Sequence, residues 1–109
     1  MAGIEPTPPK AYEDFVKRYP KLGQAWEAIH KAGDEGPLDD KTVRLVKLGI
    51  AVGAMREGAI HSSVRKALAM GVTMPEIEQI IALAAGTLGM PSTVAVYSWI
   101  KSRSDGKKE

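Results

Sequence analysis

No cysteine occurs anywhere in this sequence, which removes disulfide bonds, thiolate zinc sites and any thiol nucleophile together. Cysteine usage therefore says nothing of the redox compartment. Aromatic residues are scarce too: Tyr12, Phe15, Tyr19, Trp26, Tyr97 and Trp99 are all there are, and all fall near the two ends. Residues 38 to 90 are left to Ala, Ile, Leu, Met and Val, so a mainly aliphatic core of closely packed helices is expected. No run reaches the roughly 18 apolar residues of a spanning helix. The opening MAGIEPTPPK has neither a basic nor an apolar signal region, and a soluble cytoplasmic protein is the expectation. A dominant charge is missing as well. Fifteen basic and 13 acidic residues interleave to a net +2, a field too weak to draw nucleic acid or a membrane, so neither is expected as a partner.

What is present suits one folded unit. A chain of 109 residues with 44% hydrophobic and 26% charged residues is long enough for one core and too short for two. Pro6, Pro8 and Pro9 make residues 1 to 9 a flexible extended arm, since each fixes its own φ and pushes its predecessor out of the helical region. An all-α domain is expected over residues 10 to 103, followed by a flexible basic tail over 104 to 109. Lys101, Arg103, Lys107 and Lys108 read as a solvated end rather than a nucleic-acid contact.

Within that domain the spacing predicts five or six helices and no sheet. Tyr12, Phe15, Val16 and Tyr19 recur at three and four residues, and Pro20 restarts or kinks the helix. Leu22, Ala25, Trp26 and Ile29 mark a second helix ending near Gly33, a residue able to take the left-handed conformation. Asp39 or Asp40 can cap a third helix whose Val43, Leu45, Val46, Leu48, Ile50 and Val52 are apolar nearly all round, so it should be central and buried. Gly49, Gly53 and Gly58 argue against one unbroken helix to Gly71, and a bend is expected between Gly53 and Gly58. Ile60, Val64, Ala67 and Leu68 form the stripe of the next helix, stopped by Gly71. Thr73, Pro75 and Glu76 then make a Thr-x-x-Glu capping box, the firmest boundary in the chain. Ile77, Ile80, Ile81, Ala84 and Leu88 carry the helix to Gly89, and a last one runs from about Pro91 or Ser92 to Arg103.

Chemistry-bearing residues gather around the predicted bend. Glu57, His61 and Arg65 follow one another at intervals of four and project along one side of their helix. A carboxylate and an imidazole so placed can share a proton while the cation holds an anion, and an ordinary imidazole titrates near neutrality. The alternative is that Glu57 merely favours the positive end of its helix while His61 and Arg65 are solvated. Arg44 and Lys47 share the only polar stripe of the third helix. Turned toward the bend, Arg44 and Arg56 would favour carboxylate ligands; turned to solvent, the stripe would pair with acids such as Asp40. His30, beside Glu27 and Lys31, reads as exposed. Ser62 and Ser63 lack a Ser-His-Asp context, the methionines read as core or interface filling, and Gly86 to Gly89 lacks the lysine of a phosphate loop. No metal site and no cofactor is called for.

The order of these pieces resembles the carboxymuconolactone decarboxylase and AhpD-like family. The likeness covers roughly residues 35 to 100: Gly36 to Asp39, the run Arg56 to Leu68 (Arg-Glu-Gly-Ala-Ile-His-Ser-Ser-Val-Arg-Lys-Ala-Leu), and Gly71 to Ile77. It implies an AhpD-like helical fold and a ring-shaped homo-oligomer, a trimer or hexamer. The family's peroxidase branch uses a glutamate, a Cys-x-x-Cys pair and a histidine as a proton relay. The corresponding positions here hold Arg44, Arg56 with Ala59, and Ser63, so thiol peroxidase chemistry is excluded.

Two readings of function follow. As a cofactor-free lyase or isomerase like the decarboxylase branch, the protein would act on a small carboxylate-bearing lactone. His61 and Glu57 would move the proton, and Arg44, Arg56, Arg65 and Ser63 would meet the anionic ligand. As a degenerate member it would keep the oligomeric scaffold as a binding or assembly subunit. A helix-turn-helix reading of residues 60 to 88 fails on the acidic and apolar second helix, where Glu76 and Glu78 would face phosphates.

Overall fold

The computed structural model describes residues 10 to 106, with side chains to Ser102. Residues 1 to 9 of the expected arm and residues 107 to 109 of the tail lie outside the described residues. Six α-helices follow in order: α1 (Lys10–Arg18), α2 (Pro20–Gly33), α3 (Asp40–Gly53), α4 (Glu57–Ala69), α5 (Met74–Leu88) and α6 (Met90–Gly106). No strand occurs among the described residues, and none of their helices is long and apolar enough to cross a membrane. The last helix passes its expected end near Arg103 by three residues.

The described residues divide into two units, residues 10 to 40 and residues 41 to 106. In the first, Pro20 opens α2 at a position where its missing N–H costs nothing. Gly23 allows α1 and α2 to approach closely, because a Cβ there would lie 3.1 Å from Cβ of Val16. α2 stops at Gly33 as expected, but without a left-handed glycine there. Asp34 closes it in right-handed conformation, donating its N–H to the carbonyls of His30 and Lys31. Neither helix has a fully buried residue. His30 is half-buried rather than exposed, because the Trp26 ring stands edge-on to it at 4.7 Å.

The second unit holds the core, and it is aliphatic as the composition requires. Leu48 and Val52 of α3, Ile60, Val64 and Ala67 of α4, Ile77 and Ile81 of α5, and Val96 and Ile100 of α6 pack together, with Trp99 at the rim. α4 ends where Gly71 turns left-handed (φ +95°). The Gly71 N–H then reaches the Leu68 carbonyl at 3.1 Å and the Val72 N–H the Ala67 carbonyl at 3.0 Å, the paired bonds of a Schellman ending. Thr73 and Glu76 cap α5 reciprocally: the Thr73 N–H donates to Glu76 Oε1 at 2.9 Å and the Glu76 N–H to Thr73 Oγ1 at 3.3 Å. Glu76 Oε2 also accepts from Lys41 Nζ at 2.6 Å, tying the start of α5 to the start of α3.

One expectation changes. α3 is buried along a single stripe of Leu48, Ala51 and Val52, while Val46 and Ile50 are exposed. The apolar residues on its far side, Val46 and Ile50, find no cover among the described residues.

Candidate functional site

The bend lies where the glycines predicted it, at residues 54 to 56. Its left-handed residue is Met55 (φ 56°), not a glycine. A side chain in that conformation costs on the order of 1 kcal/mol, and packing of Met55 against the core helps to offset it. The turn is closed by Met55 N–H to the Val52 carbonyl at 3.0 Å and Arg56 N–H to the Ala51 carbonyl at 3.2 Å. Arg56 occupies the N-cap of α4 with an extended backbone and no side-chain cap, and its side chain is exposed.

From that N-cap, α4 presents three different edges. Ile60, Ser63, Val64 and Ala67 are its buried face. Glu57 and His61, one turn apart on a second edge, meet with His61 Nε2 3.3 Å from Glu57 Oε2. The His61 side chain is 11% exposed and that of Glu57 53%. The imidazole is thus largely withdrawn from water while its carboxylate partner is wet, an arrangement that leaves the carboxylate hydrated and orients the ring.

The third edge carries Lys66, a residue that sequence reasoning did not single out. Lys66 is half-buried, and burial, followed by the charges of Arg44, Lys47 and Arg65, holds its ammonium below the ordinary lysine range. Arg44 lies nine residues before Gly53, the end of α3, and Lys66 nine residues after Glu57, the start of α4. The two cations are therefore equally far from the turn that joins their helices. That symmetry is readable in the sequence once the bend is placed.

The six predicted site residues are accordingly divided. Glu57 and His61 are in contact, Arg44 and Arg65 belong to the cationic group around Lys66, Arg56 stands at the N-cap, and Ser63 is buried on the core face. Among the described residues no three His, Asp or Glu side chains converge as metal ligands. A separate apolar groove of about 360 Å³ lies between α3 and α5, floored by Gly49 and walled by Leu45, Val46, Ile80 and Leu83.

Compared with known proteins, the sequence matches the family model described as "Carboxymuconolactone decarboxylase family" over residues 20–102. Neither a curated protein nor a solved structure matches it. The matched span takes in every predicted site residue, and the absence of cysteine marks this chain as a member without the Cys-x-x-Cys pair.

Proposed function

The chain belongs to the carboxymuconolactone decarboxylase family, and from that premise we propose that it is a cofactor-free cytoplasmic lyase or isomerase acting on a small lactone that bears carboxylates. The observation that carries this reading is the His61 imidazole, withdrawn from water and 3.3 Å from Glu57. In a decarboxylation the bond between a ring carbon and its carboxyl carbon breaks, carbon dioxide leaves, and the electron pair stays on the ring, delocalised into a conjugated carbonyl of the substrate. That carbon then takes a proton from the His61 imidazolium, which water recharges. Glu57 stabilises the charged ring and fixes its orientation. Because the substrate carbonyl is the electron sink, no cofactor is required. Arg44, Arg56 and Arg65 supply cations for carboxylates that are not lost, with Ser63 behind them on α4.

A panel of carboxylated lactones, followed by carbon dioxide release and by deuterium incorporation from heavy water, tests this directly. His61→Ala should lower turnover by about 10²- to 10⁴-fold, the usual contribution of a positioned acid, while sparing binding. Unchanged turnover in that variant would overturn the assignment.

A second reading is favoured by Arg44, Arg56, Ala59 and Ser63, which fill the positions where the resemblance places the relay. On it the protein is a binding or assembly subunit of the family's oligomeric scaffold. Binding without turnover for every lactone in the panel would select this reading.

A further inference from the structure

The groove between α3 and α5 is lined without a single charged or aromatic side chain, in a chain that is 26% charged. Leu45, Val46, Ile80 and Leu83 wall it, Thr42 adds a hydroxyl, and Gly49 is its floor. One turn before Leu45 and Ile80, Lys41 and Glu76 meet at 2.6 Å and neutralise each other, so neither presents a counter-charge to a ligand there. Gly49 sets the depth. It lies within α3, where glycine weakens a helix relative to alanine. Helix packing does not demand it, because a Cβ there would stand 3.8 Å from Cγ2 of Ile80, an ordinary contact. What a Cβ would do is fill the floor of the groove. The volume of about 360 Å³ is at the small end of ligand pockets, and a helix with its side chains is about 10 Å across. The space suits one narrow chain rather than the body of a helix.

We propose that this groove binds an uncharged aliphatic chain, the alkyl part of a small alcohol or ester, lying over Gly49 with its polar end in water. Burial of methylenes against aliphatic walls is the driving force. Selection against ionised ligands follows from the lining, since a charge brought to it would be partly dehydrated without a partner. The α4 helix, which carries Glu57 and His61, contributes nothing to the lining. The site is therefore separate from the proton-moving pair, and the inference does not rest on the lyase reading. Assembly through Val46 and Leu83 is compatible with it when a neighbouring copy roofs the groove and leaves the floor open.

Methyl NMR of the full chain, with 1-butanol, 1-hexanol and 1-octanol as probes, tests it. Saturable shifts should appear at the methyls of Leu45, Val46, Ile80 and Leu83. Affinity should rise about two- to fourfold with each added methylene, the gain from taking part or all of one out of water. Hexanoate and hexylammonium should bind at these methyls less tightly than 1-hexanol. Gly49→Ala should weaken 1-octanol binding about fourfold, one methyl's worth of lost room, and yet raise the urea midpoint through helix propensity. Gly49→Leu should abolish binding. Gly86→Ala adds a Cβ that meets nothing and lies outside the lining, so its binding should match the wild type. Ile50→Glu, also outside the lining, should bind as the wild type does. No saturable shift at the four residues, undiminished binding in Gly49→Leu, an equal loss in Gly86→Ala, or tighter binding of hexanoate than of 1-hexanol would overturn the proposal. Binding seen only in Ile50→Glu would overturn it too, by showing that a neighbouring copy fills the groove in the wild type.

Discussion

The Nε2 of His61 lies 3.3 Å from Oε2 of Glu57, and the ring is the drier partner of the two. A carboxylate left in water at that spacing steadies an imidazolium without itself being dehydrated. Replacing Glu57 by Gln keeps a group of the same shape and removes its charge. Turnover of a carboxylated lactone should then fall, by less than in His61→Ala, while the folded chain keeps its stability to within about 0.5 kcal/mol, as expected for an exposed pair. Steady-state rates and denaturant midpoints of the two variants check this. A Glu57→Gln loss as large as that of His61→Ala would make the carboxylate the proton donor instead.

Peroxide reduction by this family's thiol route needs a sulfur that cycles through sulfenate and disulfide. The chain has none. Metal-free protein should therefore show no peroxide turnover with a dithiol reductant, above a reductant-only blank, in a standard consumption assay.

Helix boundaries were legible because single residues dictate them: Pro20, Gly71, the Thr73 and Glu76 box, and Gly89 each stop or start a helix by a local mechanism. The Glu57 and His61 pair was legible for the same reason, as an interval of four within one helix. Lys66 was not. Its partial burial depends on how α4 packs in the folded chain, which no spacing within one helix reports. The outer side of α3 was unreadable for another reason. Composition distinguishes apolar from polar faces but does not say whether an apolar face is covered by the same chain or by another, and Val46 and Ile50 are uncovered here.

Glu76 is held down to about 2 by the Lys41 ammonium and the Thr73 backbone N–H that it accepts from. A carboxyl depressed on folding contributes stability that is present above its unfolded value, near 4.5, and is lost as pH falls toward the folded value near 2. Tm should therefore drop across that window more steeply in the wild type than in Glu76→Gln, and the two curves should run parallel above pH 5. Parallel curves throughout would show that the cap and the Lys41 bond do not survive in solution.

Glycine-to-alanine changes should have opposite signs at two positions. Gly58 lies in α4, and a Cβ added there would meet nothing within 4 Å, so alanine should stabilise by about 0.5–1 kcal/mol through helix propensity. Gly71 has φ +95°, and alanine there should destabilise by about 1 kcal/mol or more. Urea midpoints at constant m-value measure both, and a stabilising Gly71→Ala would contradict the Schellman ending of α4.

The last expectation concerns assembly. Val46 and Ile50 on α3 and Leu83 on α5 are 47%, 66% and 69% exposed, and Val46 and Leu83 wall the groove floored by Gly49. Burying an aliphatic side chain of this size from full exposure is worth about 1.5–3 kcal/mol, and covering what these three still expose, a half to two thirds of that, is a substantial reason for copies to associate. The ring-shaped trimer or hexamer implied by the family resemblance would cover them by closed symmetry, the patch on each protomer meeting a surface of its neighbour. Light scattering at micromolar concentration should give a trimer or hexamer mass for the wild type. A charge placed in the patch by Leu83→Glu or Ile50→Glu should lower that mass toward the monomer while leaving helical circular dichroism intact, because neither side chain belongs to the chain's own core. A monomeric wild type would rule out the assembly, and an unchanged mass in both variants would move the interface to another face.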